Sequence, residues 1–407
     1  MGLSEALFRF AATAPRPLVV AVPGGTAVRL AAERELRLRG RRPALAPAQA
    51  NLLVLCGEPA GALEAAAQRV WEQIPAPRAR VEVRLPGDMA RLLDEAAESL
   101  AHRDDQRAQA AVRRRAQPTV EAEAAEGGGG HDHHHGHHGE MALPGGLAMA
   151  DRAPDRDGLK LDRLHVTLGP VLNDWPAGLV LRVALQGDVI QEARADVSMR
   201  PADGTAFWDE PWHRLREGDR VSRGELARRR AAAHLDSLGR LLGVAGWEGP
   251  AWAARGLRDD LLTGAGRAAI VPRFARFARR AGRSRLLRAM TDGLGVIDAE
   301  AATAHGITGP ASRAAASGGD VTARWRVWLA ETAEALDDLE SSEPGTPAEG
   351  PRGSVAERRA PSESLLSALP SMVNGAELAA ARLIVASLDP DLDGLSDRAA
   401  AEAAAHE

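Results

Sequence analysis

The stretch LHVTLGPVLNDWPAGLVLRVALQGDVI, residues Leu164 to Ile190, predicts the central β-hairpin of this chain. Four apolar side chains recur at every second position, as in a strand with one buried face: Leu179, Leu181, Val183 and Leu185. The Gly187-Asp188 pair that follows is typical of a tight hairpin turn. Gly169-Pro170 indicates a second turn near the start. The stretch therefore predicts one hairpin arm with its partner strand directly behind it.

Composition limits what the chain can do. Its 407 residues are enough for about two or three domains, each with its own core. The formal net charge of -5 gives no overall attraction to nucleic acid or to an anionic membrane. The single cysteine, Cys56, excludes an internal disulfide, a CxxC pair and any cluster held by several thiolates of this chain. With neither a membrane span nor a secretory leader in view, we expect a cytoplasmic location.

Strands alternate with helices in the first part of the chain. Residues Arg16 to Glu35 indicate a buried strand, a glycine turn and a helix, and Ala50 to Pro59 indicate a second strand. A helix over Gly61 to Ile74 and a third strand over Arg80 to Leu85 follow. This alternation predicts a parallel sheet, and hence a small α/β domain over residues 1–112.

The glycine turn of that domain, Pro23 to Thr26 (PGGT), has two interpretations. A strand that leads through a Gly-Gly turn into a helix can bind a phosphate with backbone N–H groups. However, PGGT lacks the third glycine of a dinucleotide-binding motif, and the only lysine, Lys160, is too far along the chain to complete a P-loop. A plain turn is the alternative.

Residues 113–146 have the composition of a disordered linker, with a glycine tetrad and a histidine tract. Six histidines are candidate metal ligands: His131, His133, His134, His135, His137 and His138. Neutral imidazoles suit Zn²⁺, Ni²⁺ or Cu²⁺, and Asp132 and Glu140 could add oxygen ligands. The tract predicts weak, exchangeable metal binding, and a solvated linker without a specific role is the alternative.

Helical periodicity dominates the next part of the chain. Apolar stripes predict helices over Ala227 to Gly246, Pro250 to Leu262 and the segment from Trp325 to Leu339. Residues Arg267 to Arg288 predict a further amphipathic helix, with eight arginines and no acidic residue. Aromatic side chains on that helix, Phe274 among them, leave three interpretations open: nucleic-acid stacking, docking to an acidic subunit or lipid headgroups, and an ordinary solvated face.

The last part begins with a Pro/Gly-rich loop and ends with a helix and an acidic tail. Asp389, Asp391, Asp393 and Gly394 share the spacing of part of an EF-hand loop. Ala400 stands where that loop needs a bidentate acid, so we predict no calcium site. The sequence thus divides into segments 1–112, 113–146, 147–340, 341–364 and 365–407.

The hairpin stretch resembles the opening hairpin of the D subunit of bacterial NADH:quinone oxidoreductase (respiratory complex I), a relative of the large subunit of nickel–iron hydrogenases. In that family a Gly-Pro precedes Gln-His-Pro-x-x-His-Gly, a strand and an Asp-Gly turn. Aligned without a gap, Gly169 and Pro170 match the Gly-Pro, whereas Leu172 and Pro176 occupy the two histidine positions. The family's Thr-Gly-Pro segment is similar to Gly306 to Pro310, and its Ser-Leu-Asp-Pro tail is also present.

The first domain resembles the B subunit of the same complex, most clearly in ANLLVLCGEP, residues 50–59, and RVWEQIPAPRARVEV, residues 69–83. In the B subunit, loops around these elements carry four cysteines that hold an iron–sulfur cluster. Here Cys56 lies within a predicted strand, and the ligand positions fall near Pro23 to Gly25 and near Pro86. We therefore expect no iron–sulfur cluster on this chain.

The two resemblances imply an α+β multidomain protein: a small α/β parallel-sheet domain, a His-rich linker, and a β-hairpin plus helical-bundle domain of the hydrogenase large-subunit type. They imply a component of NADH:quinone oxidoreductase or of a related hydrogenase-type complex, with the other subunits as partners. A peripheral position on the inner face of the cell membrane is compatible with this, and nucleic acid is not an expected partner.

The missing side chains bear on catalysis. The D subunit is thought to hold the quinone headgroup between a hairpin-loop histidine and a tyrosine. Leu172 and Pro176 cannot donate a proton from a side chain, and the chain contains no tyrosine. We therefore predict a degenerate quinone loop, no catalytic residue, and a scaffold or accessory subunit. Two alternatives stay open: an active quinone- or NAD-linked subunit with redox centres on partner chains, and a metal-binding accessory protein that acts through its histidine tract.

Overall fold

The computed structural model describes residues 15–116, 151–154, 160–201, 206–346, 349–355 and 360–395. Within them the protein is α+β, with a three-stranded parallel sheet, a four-stranded antiparallel sheet and a set of packed helices. We call residues 15–116 the N-terminal unit and the described residues from 151 to 395 the C-terminal unit. The histidine tract, residues 131–138, lies outside the described residues.

The N-terminal unit is built on a parallel sheet in the order β1-β2-β3. Its strands are β1 (Pro17–Ala21), β2 (Leu52–Cys56) and β3 (Ala79–Val83). Its helices are α1 (Thr26–Leu38), α2 (Gly61–Gln73), α3 (Met89–Ala101) and α4 (Arg103–Ala116). The sequence prediction of three strands that alternate with helices is confirmed.

Strand β2 is buried on both faces because helices cover both sides of the sheet. Leu52, Val54 and Cys56 pack into one core with α1 and α3, whereas Leu53 and Leu55 pack into a second core with α2. Successive side chains of a strand point to opposite faces, so a central parallel strand is apolar at every position. Cys56 is fully buried, as expected for a cysteine inside such a strand.

Helix α4 continues to Ala116, four residues past the domain end predicted at residue 112. Arg113 donates a hydrogen bond of 3.0 Å to the carbonyl of Ile74, and Gln106 bonds both the N–H and the carbonyl of Arg78. These polar contacts tie the charged helix to the loop before β3. An alanine- and arginine-rich segment therefore forms a helix where its composition favours a linker.

The C-terminal unit contains the predicted hairpin at the centre of an antiparallel sheet in the order β4-β5-β6-β7. The strands are β4 (Asp151–Pro154), β5 (Lys160–Leu168), β6 (Leu179–Gln186) and β7 (Val189–Val197). Gly187 and Asp188 form the turn, as predicted, and Gly187 has a φ of +62°. Strand β6 is more buried than predicted, because Val180 and Ala184 on its second face are buried too.

Helix α6 (Arg223–Val244) is the central helix of the bundle and packs against α7 (Glu248–Leu262), α12 (Val321–Asp337) and α14 (Leu378–Leu388). The remaining helices of the unit are α5 (Glu210–Arg216), α8 (Arg267–Gly282), α9 (Arg285–Thr291), α10 (Ala299–Ala304), α11 (Gly309–Ala315) and α13 (Pro361–Val373). The predicted stripe on α12 is confirmed, since Trp325, Trp328 and Leu336 are buried.

The prediction of one helix over Arg267 to Arg288 is wrong in one respect. Helix α8 ends at Gly282, and α9 starts anew at Arg285. Ser284 caps the second helix, because its Oγ accepts a hydrogen bond of 3.1 Å from the N–H of Leu287. The periodicity of the apolar residues continues across the break, which is why the sequence pattern does not show it. Among the described residues, no helix combines the length and hydropathy that crossing a bilayer requires.

Candidate functional site

A cavity of about 270 Å³ lies between the two units. The N-terminal unit contributes β1, the start of α1 and residues 43–47, and the C-terminal unit contributes the hairpin loop at residues 170–177, two helices and the tail at 389–393. Leu18, Val20, Val171, Leu172 and Trp175 supply apolar walls. The titratable residues of the lining are Arg29, Glu33, Asp174, Arg240, Arg255, Arg352, Asp389, Asp391 and Asp393. The site is thus a partly enclosed, partly apolar space lined by arginines and carboxylates.

The hairpin loop reaches the cavity because its backbone folds back tightly. Gly169 has a φ of +83°, a conformation that residues with a Cβ rarely adopt. The indole Nε1 of Trp175 donates a hydrogen bond of 2.8 Å to the carbonyl of Leu179, which closes the loop on the first residue of β6. The ion pair between Asp174 and Arg255 fixes the loop on helix α7.

Two of the four predicted quinone-loop residues line the cavity, namely Pro170 and Leu172. Gly169 and Pro176 lie at the two ends of the loop, where they shape the turn and do not line the space. The side chain of Leu172 is 40% exposed and has no polar atom. The loop therefore presents aliphatic carbon at the position where the resembled family has a histidine.

The PGGT turn also faces this region, and one of its backbone N–H groups already donates a hydrogen bond to a carboxylate of this chain. Gly24 donates a hydrogen bond of 2.6 Å to Oδ1 of Asp393. Gly25 packs so closely on β2 that a Cβ would lie 2.0 Å from the carbonyl oxygen of Cys56. In the plain-turn interpretation these glycines are needed for close packing, and the carboxylate of Asp393 occupies the place that a phosphate would take.

A buried network of charges joins the units beside the cavity. Asp236 on α6 is fully buried and accepts hydrogen bonds from Arg29 of the N-terminal unit at 2.8 and 3.1 Å and from Arg258 at 2.6 Å. Arg240 lies 3.2 Å from the same carboxylate. Glu33 accepts from Arg29 and from Arg258, at 2.7 Å each. Two residues of α1 and three of the bundle thus form one ionic cluster.

The charges of this network set the protonation of its acids. Burial alone would raise the pKa of Glu33, but the guanidinium charges of Arg29, Arg258 and Arg255 outweigh it and lower that pKa to about 2. Burial likewise opposes ionisation of Asp236, and Arg29 and Arg240 overcome it and hold its pKa well below the usual value. Both acids are therefore carboxylates at neutral pH.

The network extends to the C-terminal tail. Asp389 ends α14 with a left-handed φ of +42° and forms ion pairs with Arg240 at 3.1 Å and with Arg352 at 2.6 Å. Arg352 also donates a hydrogen bond of 2.5 Å to Oγ of Ser237. The Ser-Leu-Asp-Pro tail of the sequence resemblance is thereby fixed on the same helix as Asp236.

Two acids near the tail have raised pKa values instead. Burial and the neighbouring Asp393 raise the pKa of Asp391 to about 8. Burial also raises the pKa of Asp209 to about 7, against the pull of Arg352. Among the described residues, no group of three or more acidic, histidine or cysteine side chains is arranged to hold a metal ion.

The raised pKa of Asp391 leads to a prediction on pH dependence. An aspartate with a folded-state pKa of about 8 and an ordinary value of 3.8 destabilises the fold progressively as pH rises from about 4 to about 8. Asn at this position mimics the neutral acid. We therefore expect the melting temperature of Asp391→Asn to exceed that of the wild type by an amount that grows across that range and stays constant above it. Thermal unfolding of both proteins between pH 4 and 9 measures this, and two parallel curves would contradict it.

The cavity lining contains neither cysteine nor histidine in the described part of the chain. Burial raises the pKa of the Cys56 thiol, which opposes thiolate formation. His234 is fully buried elsewhere in the bundle, 2.9 Å from Glu331, and burial lowers its pKa. His305 lies beside Ser367, away from the cavity. The arrangement can hold two units together and enclose a small molecule, but these residues offer no thiolate ligand and no imidazole to donate a proton.

Comparison with known proteins finds similarity among solved structures. No family model matches the sequence, and no curated protein matches it. Among solved structures, a chain from the structure of the membrane-bound sulfane sulfur reductase, an archaeal respiratory membrane complex, aligns with a TM-score of 0.42 and 15% sequence identity. The alignment covers 57% of this chain and 98% of that chain.

Proposed function

We propose that this chain is a non-catalytic structural subunit of a multisubunit oxidoreductase of the complex I or hydrogenase type, in which a B-like and a D-like part are joined. The observation that carries the proposal is the cavity between the units. The degenerate quinone loop, with Pro170 and Leu172, faces the B-like unit there, yet the lining supplies arginine–carboxylate pairs and aliphatic carbon in place of thiolates, imidazoles or phenols.

The buried network supports a scaffolding role. Arg29 and Glu33 of α1 pair with Asp236 and Arg258 of the bundle, and Arg37 pairs with Asp259 at 2.9 Å. Buried ion pairs contribute little net stability compared with apolar packing, but a wrong relative arrangement of the units would leave charges buried and unpaired. In the proposed role, the network fixes one arrangement of the two parts so that other subunits can bind a constant surface.

Isolation of the tagged chain from its native cells tests the proposal. We expect it to co-purify in fixed stoichiometry with subunits that carry flavin or iron–sulfur centres, and the complex to keep its electron-transfer rate when Cys56→Ser is introduced. Cys56 is chosen because an iron–sulfur cluster held by thiolates of this chain would need its only thiol. A monomer free of any redox subunit, or a rate that collapses in Cys56→Ser while the complex stays assembled, would contradict the proposal.

The cavity itself favours a second candidate, an active subunit that binds a quinone or nucleotide between the units. A pocket with apolar walls and a few polar groups is typical of small-molecule sites, although about 270 Å³ is near their lower limit. A ligand held only by the folded protein raises its stability by about 2.7 kcal/mol at a hundredfold excess over Kd. A rise in melting temperature with a soluble quinone or NADH would favour this candidate over a scaffold, and the histidine-tract metal role remains a prediction.

A further inference from the structure

Helices α8 and α9 carry a run of exposed positive charge. Eight arginines lie between residues 267 and 288, with no acidic residue until Asp292, and all eight are exposed. The chain as a whole has a net charge of -5, so this positive charge is local. We call the segment from Arg276 to Val296 the α8–α9 corner.

Five of these eight arginines have no acidic partner within the described ranges. Arg267, Arg273 and Arg288 form ion pairs with Asp337, Asp260 and Asp292. Arg280 lies over the ring of Trp247, 5.4 Å from its centroid. The other four without an ion pair to any described residue, and without such a ring contact, are Arg276, Arg279, Arg283 and Arg285. Their charges are therefore available to an outside anion.

Exposed aliphatic side chains lie next to these arginines. Leu286 is 73% exposed and Met290 is 36% exposed, and their spacing of four residues places them on one side of α9. Val296, just after the helix, is 55% exposed. A leucine with so little contact stands out from the surface, so it can enter a fluid phase without needing a matching pocket.

The aromatic side chains of helix α8 exclude one of the partners that the sequence leaves open. Phe274 and Phe277 are 5% and 6% exposed and pack into the bundle core. Base stacking on a nucleic-acid surface requires exposed rings. With the rings turned inward, the exposed surface consists of guanidinium groups and aliphatic carbon, which is the composition of segments that lie in the interface of an anionic bilayer.

We propose that the α8–α9 corner docks the protein on an anionic lipid bilayer, with arginines at the headgroups and Leu286 and Met290 among the upper acyl carbons. The proposal does not depend on the scaffold function, because a protein with either activity could bind a membrane in this way. The expected partner is lipid, because a deformable bilayer accepts a protruding leucine without a matching pocket. An acidic protein surface as the partner would overturn the proposal.

Co-sedimentation of the full chain with vesicles tests the proposal. We expect binding to vesicles of phosphatidylglycerol and phosphatidylcholine, little binding to pure phosphatidylcholine, and release at high ionic strength. Arg279→Gln together with Arg283→Gln should weaken binding by roughly tenfold or more, because two interfacial charges are lost. Leu286→Ser with Met290→Ser should weaken it by roughly several-fold, by removing apolar contact.

Arg69 and Arg107 of the N-terminal unit provide the matched control. Both are exposed, and Arg69→Gln with Arg107→Gln changes the total charge by the same amount. This control should bind vesicles as the wild type does, and unchanged melting temperatures show that all the variants fold. Equal loss of binding in the control and corner variants, or equal binding to neutral and anionic vesicles, would overturn the proposal. So would a wild type that does not bind vesicles, with corner variants that instead lose an acidic subunit that co-purifies with the wild type.

Discussion

Asp236→Ala is expected to lower the free energy of unfolding by about 3–5 kcal/mol, the cost of removing one partner from a buried ion pair. The carboxylate is fully buried and is shared by Arg29, Arg258 and Arg240, so its loss leaves these three guanidinium groups close together with one fewer neutralising charge. Equilibrium unfolding in urea, followed by circular dichroism, measures the change.

The exposed pair between Arg42 and Glu248 is the control for that measurement. Their nitrogen and oxygen atoms are 2.5 Å apart, but both side chains are more than half exposed. Glu248→Gln should cost less than about 1 kcal/mol, as surface ion pairs do. A similar loss for both substitutions would mean that the network between the units has no special part in stability.

The network also has a pH signature. The pKa of Glu33 is lowered from 4.5 to about 2, so its stabilising contribution is complete above about pH 4.5 and is lost as the pH falls toward about 2. The sign is opposite to that of Asp391, whose raised pKa destabilises the fold as the pH rises. Acid should therefore weaken the contact between the units, and a rise in pH from about 4 to about 8 should destabilise the packing of the tail.

Gly169→Ala is expected to destabilise the protein by about 3–4 kcal/mol, the second largest effect we predict. The residue has a φ of +83°, and an added Cβ would lie 2.1 Å from the carbonyl oxygen of Leu179 and 2.6 Å from Nε1 of Trp175. These are the two atoms whose hydrogen bond closes the hairpin loop. The same unfolding measurement detects the loss.

Gly187→Ala separates backbone strain from the steric clash. Gly187 has a φ of +62°, and an added Cβ would meet nothing within 4 Å. It should cost only about 1–2 kcal/mol, the penalty of the left-handed conformation alone. If the two alanine variants were equally stable, the close packing of the loop at Gly169 would not matter for the fold.

Local patterns in the sequence predict the secondary structure well, because each depends on neighbouring residues. The alternation of Leu179 to Leu185 predicts β6, and the stripe from Trp325 to Leu336 predicts α12. The sequence pattern does not show the end of α8, because the apolar spacing continues through Gly282 and the Ser284 cap that restarts the helix is a single residue.

The charge network could not be predicted from sequence, since its members are far apart along the chain. Arg29 and Asp236 are separated by 207 positions. One local signal was present: Asp236 directly follows Leu235, within the apolar stripe of a helix predicted to face the core. A charged residue at such a position requires a buried partner, although the sequence does not identify it.

The absence of particular side chains was easier to predict than the contacts of those present. A sequence without tyrosine and with one cysteine cannot supply a phenol or four thiolates, whatever its fold. What the structure adds is the cavity in which Leu172 and the tail acids meet the N-terminal unit, and the use of Asp393 as the anion of the Gly-Gly turn.

Anaerobic reconstitution of the purified full chain with ferrous iron and sulfide, followed by a chelator wash, tests the central claim most directly. We predict no stoichiometric iron, no iron–sulfur absorption and no quinone reduction, whereas a known iron–sulfur protein treated in parallel acquires its cluster. One 4Fe–4S cluster per chain, or steady quinone turnover by the chain alone, would contradict the account.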